Sequence, residues 1–167
     1  MPGLVFYFLL IELLGVSYID FFFGKIHNIW PILNILLYAL LIFIFPDYYV
    51  FNLKTFVFPL AFIFVWYILY LMNIMGAGDS KYLFSFFLLV PTPKQEEVFI
   101  CLAYTTIFVG VFLLASTIVL NFKKILYALR LRDIGSIKKI FGSKFTYAPV
   151  ILISWIWFGW INSLFTP

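Results

Sequence analysis

Charge is scarce in this chain: Asp, Glu, Lys and Arg make up 11% of its 167 residues, against about 25% in an ordinary soluble domain. Apolar residues take the space, at 65%, where about 45–50% is usual. A water-soluble fold of this size has no interior large enough to hide them, which excludes a soluble enzyme and a disordered chain. Cysteine is scarcer still. Cys101 is single, so no intramolecular disulfide and no multi-cysteine zinc site can form. Also missing are a phosphate-binding glycine loop, a Ser/His/Asp array, an internal repeat, a low-complexity tract and any polar segment long enough to fold by itself. The 23 Phe and 11 Tyr are spread through the apolar stretches and mark no cofactor box. The first apolar stretch has no basic region before it and carries Glu12, so it reads as a retained span and not a cleaved signal peptide.

What remains is a series of apolar segments at 3–19, 29–45, 56–75, 79–90, 98–120 and 145–165, separated by polar breaks at 20–28, 46–55, 76–78, 91–97 and 121–144. A helix needs about 20 residues to cross about 30 Å of hydrocarbon. The expected fold class is all-α: a polytopic membrane helical bundle with six transmembrane helices, forming one domain over residues 1–167. Charge sets the expected orientation. With all six segments crossing, Lys25, Lys81, Lys123, Lys124, Arg130, Arg132, Lys138, Lys139 and Lys144 share one side. The other receives only Lys54 and Lys94, with Asp47, Glu96 and Glu97. By the positive-inside rule the richer side is cytoplasmic and both termini lie outside, in a multi-pass protein of the cell membrane. The fourth segment is short for a span, at roughly 18 Å. If it did not cross, Lys25 and the large basic loop would fall on opposite sides. Its crossing implies a locally thin bilayer, or a Gly76-Ala77-Gly78-Asp79 turn below the lipid surface.

The 121–144 region places Leu126, Leu129, Ile137 and Ile140 at roughly helical spacing among basic residues. It fits an interfacial segment that favours anionic lipids, and equally a solvated loop. It lies too near lipid to argue for nucleic acid. Trp155, Trp157 and Trp160 belong to the last span, with Trp160 toward the outer interface. Gly110 and Ser116 would permit close approach of another helix to the fifth. Cys101 fits a small packing role in that span.

Ionisable groups in a span are functional candidates by default. Four acidic residues lie away from the outer loops: Glu12, Asp20, Asp79 and Asp133. Asp133, among Arg130, Arg132 and Lys138, fits a surface ion pair. Asp20 ends the first span and Asp79 begins the fourth, so both emerge at one face. Two carboxyls in contact disfavour double ionisation, so one keeps a proton while the other is charged. The charged one can deprotonate water for attack on a peptide carbonyl; the protonated one can donate to that carbonyl and then to the leaving amine. Each aspartate is equally readable as a helix-end charge facing water, with Asp79 stabilising its helix N-terminus. Glu12, eight residues before Asp20, shares its helix face and fits a hydrogen-bonding role inside the bundle. Lys81, two residues after Asp79, diverges from it on a helix; it suits a snorkelling role or a substrate role. His27 reads as a loop residue.

Three motifs narrow the choice. Met75-Gly76-Ala77-Gly78-Asp79-Ser80-Lys81 resembles the GxGD motif of type IV prepilin and archaeal preflagellin peptidases, in its GxGDxK form. Gly76 and Gly78 leave room for close backbone approach beside the aspartate. Ser17-Tyr18-Ile19-Asp20 followed by Lys25-Ile26-His27-Asn28 resembles the family's first motif, an aspartate at the end of helix one and then Arg-Ile-Pro-Asn; Lys25 and His27 depart from it. Tyr147-Ala148-Pro149 is similar to the Phe/Tyr-Ala-Pro segment that opens the family's last helix. The resemblance implies an intramembrane aspartic endopeptidase with Asp20 and Asp79 as the catalytic pair. Gly76, Gly78 and Lys81 would shape the site, and no metal or cofactor is expected. Its partners would be pilin-like or archaellin-like precursors with a short basic leader and an apolar helix, cut at the cytoplasmic face. Some bacterial members carry a second, methyltransferase region, often with four zinc-binding cysteines; a single cysteine and a short first loop argue against it here. Two other readings compete. One is a small transporter or ion-binding protein with Asp20, Asp79 and Glu12 as relay carboxylates; the other is an inactive scaffold of the same fold.

Overall fold

Along residues 3–23 the positions that pack inward are Val5, Phe6, Leu9, Glu12, Leu13, Val16, Ser17 and Asp20, a stripe with the helical period. The chain forms α1 (Gly3–Phe23), and Gly24 ends it in the left-handed conformation at φ 61°. Its N–H caps the Asp20 carbonyl at 2.8 Å, a cap that a residue with a Cβ resists. In the computed structural model, which describes residues 2–71, 77–130, 135 and 146–163, the further helices are α2 (Ile29–Ile44), α3 (Leu53–Leu71), α4 (Ala77–Leu89), α5 (Thr92–Arg130) and α6 (Ala148–Ile161). No strand occurs among the described residues. The fold is all-helical. Gly3–Phe23 and the Thr92–Tyr127 part of α5 are long and apolar enough to cross a membrane, whereas Ile29–Ile44, Leu53–Val65 and Ala148–Ile161 are shorter apolar helices.

The short fourth segment turns out to be the axis of the bundle. Tyr82, Leu83, Ser85, Phe86, Phe87, Leu88 and Leu89 are all buried, and α4 packs on both α2 and α3. Phe62 of α3 meets the Phe87 ring at 4.5 Å. From α6, Trp155 meets Phe86 edge-on at 5.2 Å and stacks on Phe6 of α1 at the same separation, while its indole N–H donates to the Phe6 carbonyl. Helices α1 and α5 flank α6. A helix enclosed by protein needs neither end at a lipid surface, so 13 residues suffice for α4.

Its buried C-terminus is closed by side chains. Gln95 Nε2 donates to the carbonyls of Phe87 (2.9 Å), Val90 (3.2 Å) and Thr55 (3.2 Å), and Tyr49 Oη donates to Leu89 O at 2.8 Å. Burial, and next to it the neighbouring Tyr38, pushes the Tyr49 phenol up, which keeps its proton in place as a donor.

Several boundaries move. The polar 91–97 break is largely the first turns of α5, with Lys94 and Glu97 paired one turn apart at 2.7 Å; Pro93 is tolerated there because the first helical N–H groups have no intrahelical acceptor. At the other end α5 continues through 121–130 across a break at Asn121 (φ −109°, ψ 16°), so this stretch of the expected loop is helical. The last helix begins at Ala148, with Pro149 in its first turn. An added Cβ at Gly110 would meet nothing within 4 Å among the described residues, and the Ser116 hydroxyl donates to the Leu113 carbonyl of its own helix. Cys101 is buried.

Candidate functional site

Asp20 occupies the last turn of α1 on its buried face. Its Oδ2 accepts the backbone N–H of Ala148 at 3.2 Å, and the Tyr147 backbone also lies beside the carboxyl. The first N–H groups of a helix have no intrahelical partner, and a carboxylate satisfies one while meeting the positive end of the helix dipole. Tyr147 is itself fixed by a 2.8 Å bond between its hydroxyl and Thr106 of α5. Asp79 sits in the first turn of α4, also buried, within electrostatic reach of the Tyr147 phenol. Asp20 therefore lies against Tyr147 and Ala148, and Asp79, 59 positions on, is within electrostatic reach of the same Tyr147.

The 24–28 segment covers this end of the bundle. A Cβ added to Gly78 would stand 3.1 Å from the Ile26 carbonyl oxygen and 3.4 Å from its Cβ, so the glycine is where two backbones approach. Gly78 and Asp79 do not form a separate turn; they belong to the first turn of α4. Gly76 and Asp133 lie outside the described residues. Lys81 is exposed and reaches Asn28 Oδ1 at 3.4 Å, on the side away from Asp79. It borders an apolar groove of about 350 Å³ lined by Asn28, Pro31, Ile32, Ile35, Ile63 and Phe84. His27 is exposed.

Glu12 lies two turns deeper on the α1 face that carries Asp20. Asn34 of α2 donates to its Oε1 at 2.9 Å and to Ser85 Oγ of α4 at 3.4 Å, which ties three helices through one amide. Neither Asn34 nor Tyr147 and Ala148 stood out in the sequence as partners of the acidic residues. The Tyr-Ala-Pro string was the available signal for the latter pair, and the buried period of α2 (Pro31, Asn34, Tyr38, Leu41) for the former. No group of three or more His, Cys, Asp or Glu able to hold a metal ion occurs among the described residues. Compared with protein-family models, curated proteins and solved structures, the chain matches none.

Proposed function

We propose that the chain is a multi-pass protein of the cell membrane and an intramembrane aspartic endopeptidase of the GxGD type. It removes short leader peptides from pilin-like or archaellin-like precursors at the cytoplasmic face. The outer surface supports the membrane setting: Phe43, Leu53, Phe108, Val119 and Leu120 are each at least 75% exposed, among many other apolar side chains. Such a surface needs lipid and not water. The active face is the end that carries Asp20, Lys25, Asp79 and Lys81, opposite the end that carries Asp47, Lys94, Glu96 and Glu97.

The observation that carries the activity is that Asp20, bonded to the Ala148 N–H, and Asp79, within electrostatic reach of Tyr147, are both buried at the same end of the bundle around the start of α6. Carboxyls at one depth, brought into contact around a substrate, share a proton, because double ionisation is costly between them. One carboxylate takes a proton from water as the oxygen attacks the scissile carbonyl. The other donates to the carbonyl oxygen, and the proton taken from water passes to the leaving amine. The titration belongs to the pair. The Ala148 N–H orients Asp20, and Gly78 lets the Ile26 backbone close over the start of α4 and so fixes where Asp79 stands.

Co-expression with candidate precursors, read by mass spectrometry of the precursor, tests this reading. A shortened product is expected with the unmodified chain. None is expected with Asp20→Asn or Asp79→Asn, although both variants insert into the membrane. Full cleavage by either variant removes that aspartate from the reaction.

A further inference from the structure

Glu12 is spare to the reaction proposed above, yet it is buried in an apolar bundle. One oxygen accepts from Asn34. The other, Oε2, has no hydrogen-bond partner among the described residues, and neither has the hydroxyl of Tyr82 or of Ser17. Tyr82 Oη lies beside the Glu12 carboxyl and interacts with it electrostatically. Tyr82 is fully buried, and Glu12 and Ser17 are at most 7% exposed. A buried oxygen without a partner is costly, and Glu12 Oε2 with the Tyr82 hydroxyl beside it marks a place that takes up something polar and small.

A metal ion does not fit, since Asn34 turns its N–H group toward the carboxyl. A counter-ion is not supplied: no cation among the described residues pairs with Glu12, α2 and α6 contain no charged residue, and α4 faces it with Tyr82 and Ser85. The other charged groups of the neighbouring turns, Asp79 and Lys81, lie at the far end of α4, and Asp20 two turns along α1. An unpaired carboxylate in such a medium carries a heavy desolvation cost, whereas a carboxylic acid carries little and gains a donor. Ser17 stands on the same face of α1, about 7.5 Å along the axis from Glu12 and about 4.5 Å from Asp20. It is thus the buried hydroxyl one turn from Asp20.

We propose that Glu12, Tyr82 and Ser17 form a second proton-binding site, hydrated, with Glu12 as the proton carrier and Ser17 as the link toward Asp20. The proton moves as one unit along water and hydroxyl oxygens, each oxygen accepting one proton and passing on another, so no charge is left on Ser17. The site stands apart from peptide cleavage: it holds its proton whether or not a precursor is cut.

Infrared spectroscopy of the full chain in lipid vesicles at neutral pH tests it without any substrate. In an Asp20→Asn/Asp79→Asn background the aspartate pair is silent, and a protonated carboxyl C=O band is expected to remain and to shift on transfer to D2O. Adding Glu12→Gln, which keeps the acceptor for Asn34, should abolish the band. Labelling with 13C-glutamate should shift it with no substitution at residue 12, since the other glutamates, Glu96 and Glu97, are exposed. Absence of the band, or a band indifferent to the glutamate label, overturns the proton site. A band that fails to shift in D2O overturns its hydration. Ser17→Ala should slow the exchange; an unchanged rate overturns the link. Loss of leader cleavage in every chain tested would sink the peptidase reading and leave these outcomes unaltered.

Discussion

At the residue scale the approach of Gly78 to Ile26 is the most sensitive contact near the aspartates. Alanine puts a Cβ 3.1 Å from a backbone oxygen, and valine adds two methyl groups where the 24–28 segment has no side-chain rotamer to give way. The segment must shift, and Asp79, the next residue, shifts with respect to Asp20. Misplacing a reacting group by about 1 Å can cost about 100-fold. Gly78→Val should therefore lower leader cleavage on the order of 10–100-fold, with Gly78→Ala between it and the unmodified chain. Val90→Ala is the control: it opens a cavity at a fully buried position, at about 1–3 kcal/mol, at the opposite end of α4. Cleavage per folded molecule should stay near the unmodified rate. Equal losses in an initial-rate assay normalised to folded protein would refute a special role for the glycine. Gly78 was legible in the sequence as a glycine beside an aspartate, a place where another backbone can approach closely. Its contact was not, since nothing in a local string says that Ile26 will lie over it. Glu12 and Asp20 were likewise legible as occupants of one face, from their spacing alone, whereas Asn34 as a partner depended on how α2 packs.

At the scale of the element α4 is the case that hydropathy alone describes least well. Its length suggested a span too short for lipid, with a thinned bilayer or a sunken turn as the remedies. Burial by α1, α2, α3 and α6 removes the need for either, and the sequence cannot show which neighbours a helix will have. The same holds for its C-terminus. Gln95 sits in a polar run that reads as an outer loop, but it is completely buried, and its two amide hydrogens are shared among three carbonyls. Removing it leaves buried acceptors with no replacement. Gln95→Ala should destabilise the fold on the order of 3 kcal/mol, and Tyr49→Phe, which removes the single bond to Leu89 O, by about 1 kcal/mol. Unfolding in detergent, followed by circular dichroism against temperature, ranks the two; a Tyr49→Phe loss as large as that of Gln95→Ala would contradict the capping role. In α5 the error ran the other way. Polar residues at both ends suggested loops, yet they lie on an amphipathic continuation of the helix, with Asn121 marking where the apolar stretch stops.

At the scale of the molecule, contacts pair α6 with α1 and with α5 through opposite helix ends. Asp20 near the end of α1 meets the start of α6, and Phe6 near the start of α1 meets Trp155. Lys94 at the start of α5 meets Asn162 just past α6 at 2.9 Å. Helices α1 and α5 therefore run antiparallel to α6, whereas α2 and α4 run parallel, with Asn28 beside Lys81 at their starts and Tyr49 bonded to Leu89 at their ends, and the polar segments sort into two ends: Lys25, Lys81, Lys123, Lys124 and Arg130 at one, Asp47, Lys54, Lys94, Glu96 and Glu97 at the other. The separation agrees with the positive-inside expectation, and it turns orientation into an accessibility experiment. With buried Cys101 replaced by serine, single cysteines at Asp47, Glu96, Lys25 and Lys124, all exposed positions, report each end in turn. A membrane-impermeant maleimide added to intact cells should label the cysteines at 47 and 96, and those at 25 and 124 only after the membrane is opened. Labelling at 25 from outside would place Asp20 on the wrong side for a precursor whose leader stays in the cytoplasm. Labelling at 25 and 124 from opposite sides would mean that an odd number of the four intervening helices crosses, against the parallel run of α2 with α4 and of α3 with α5.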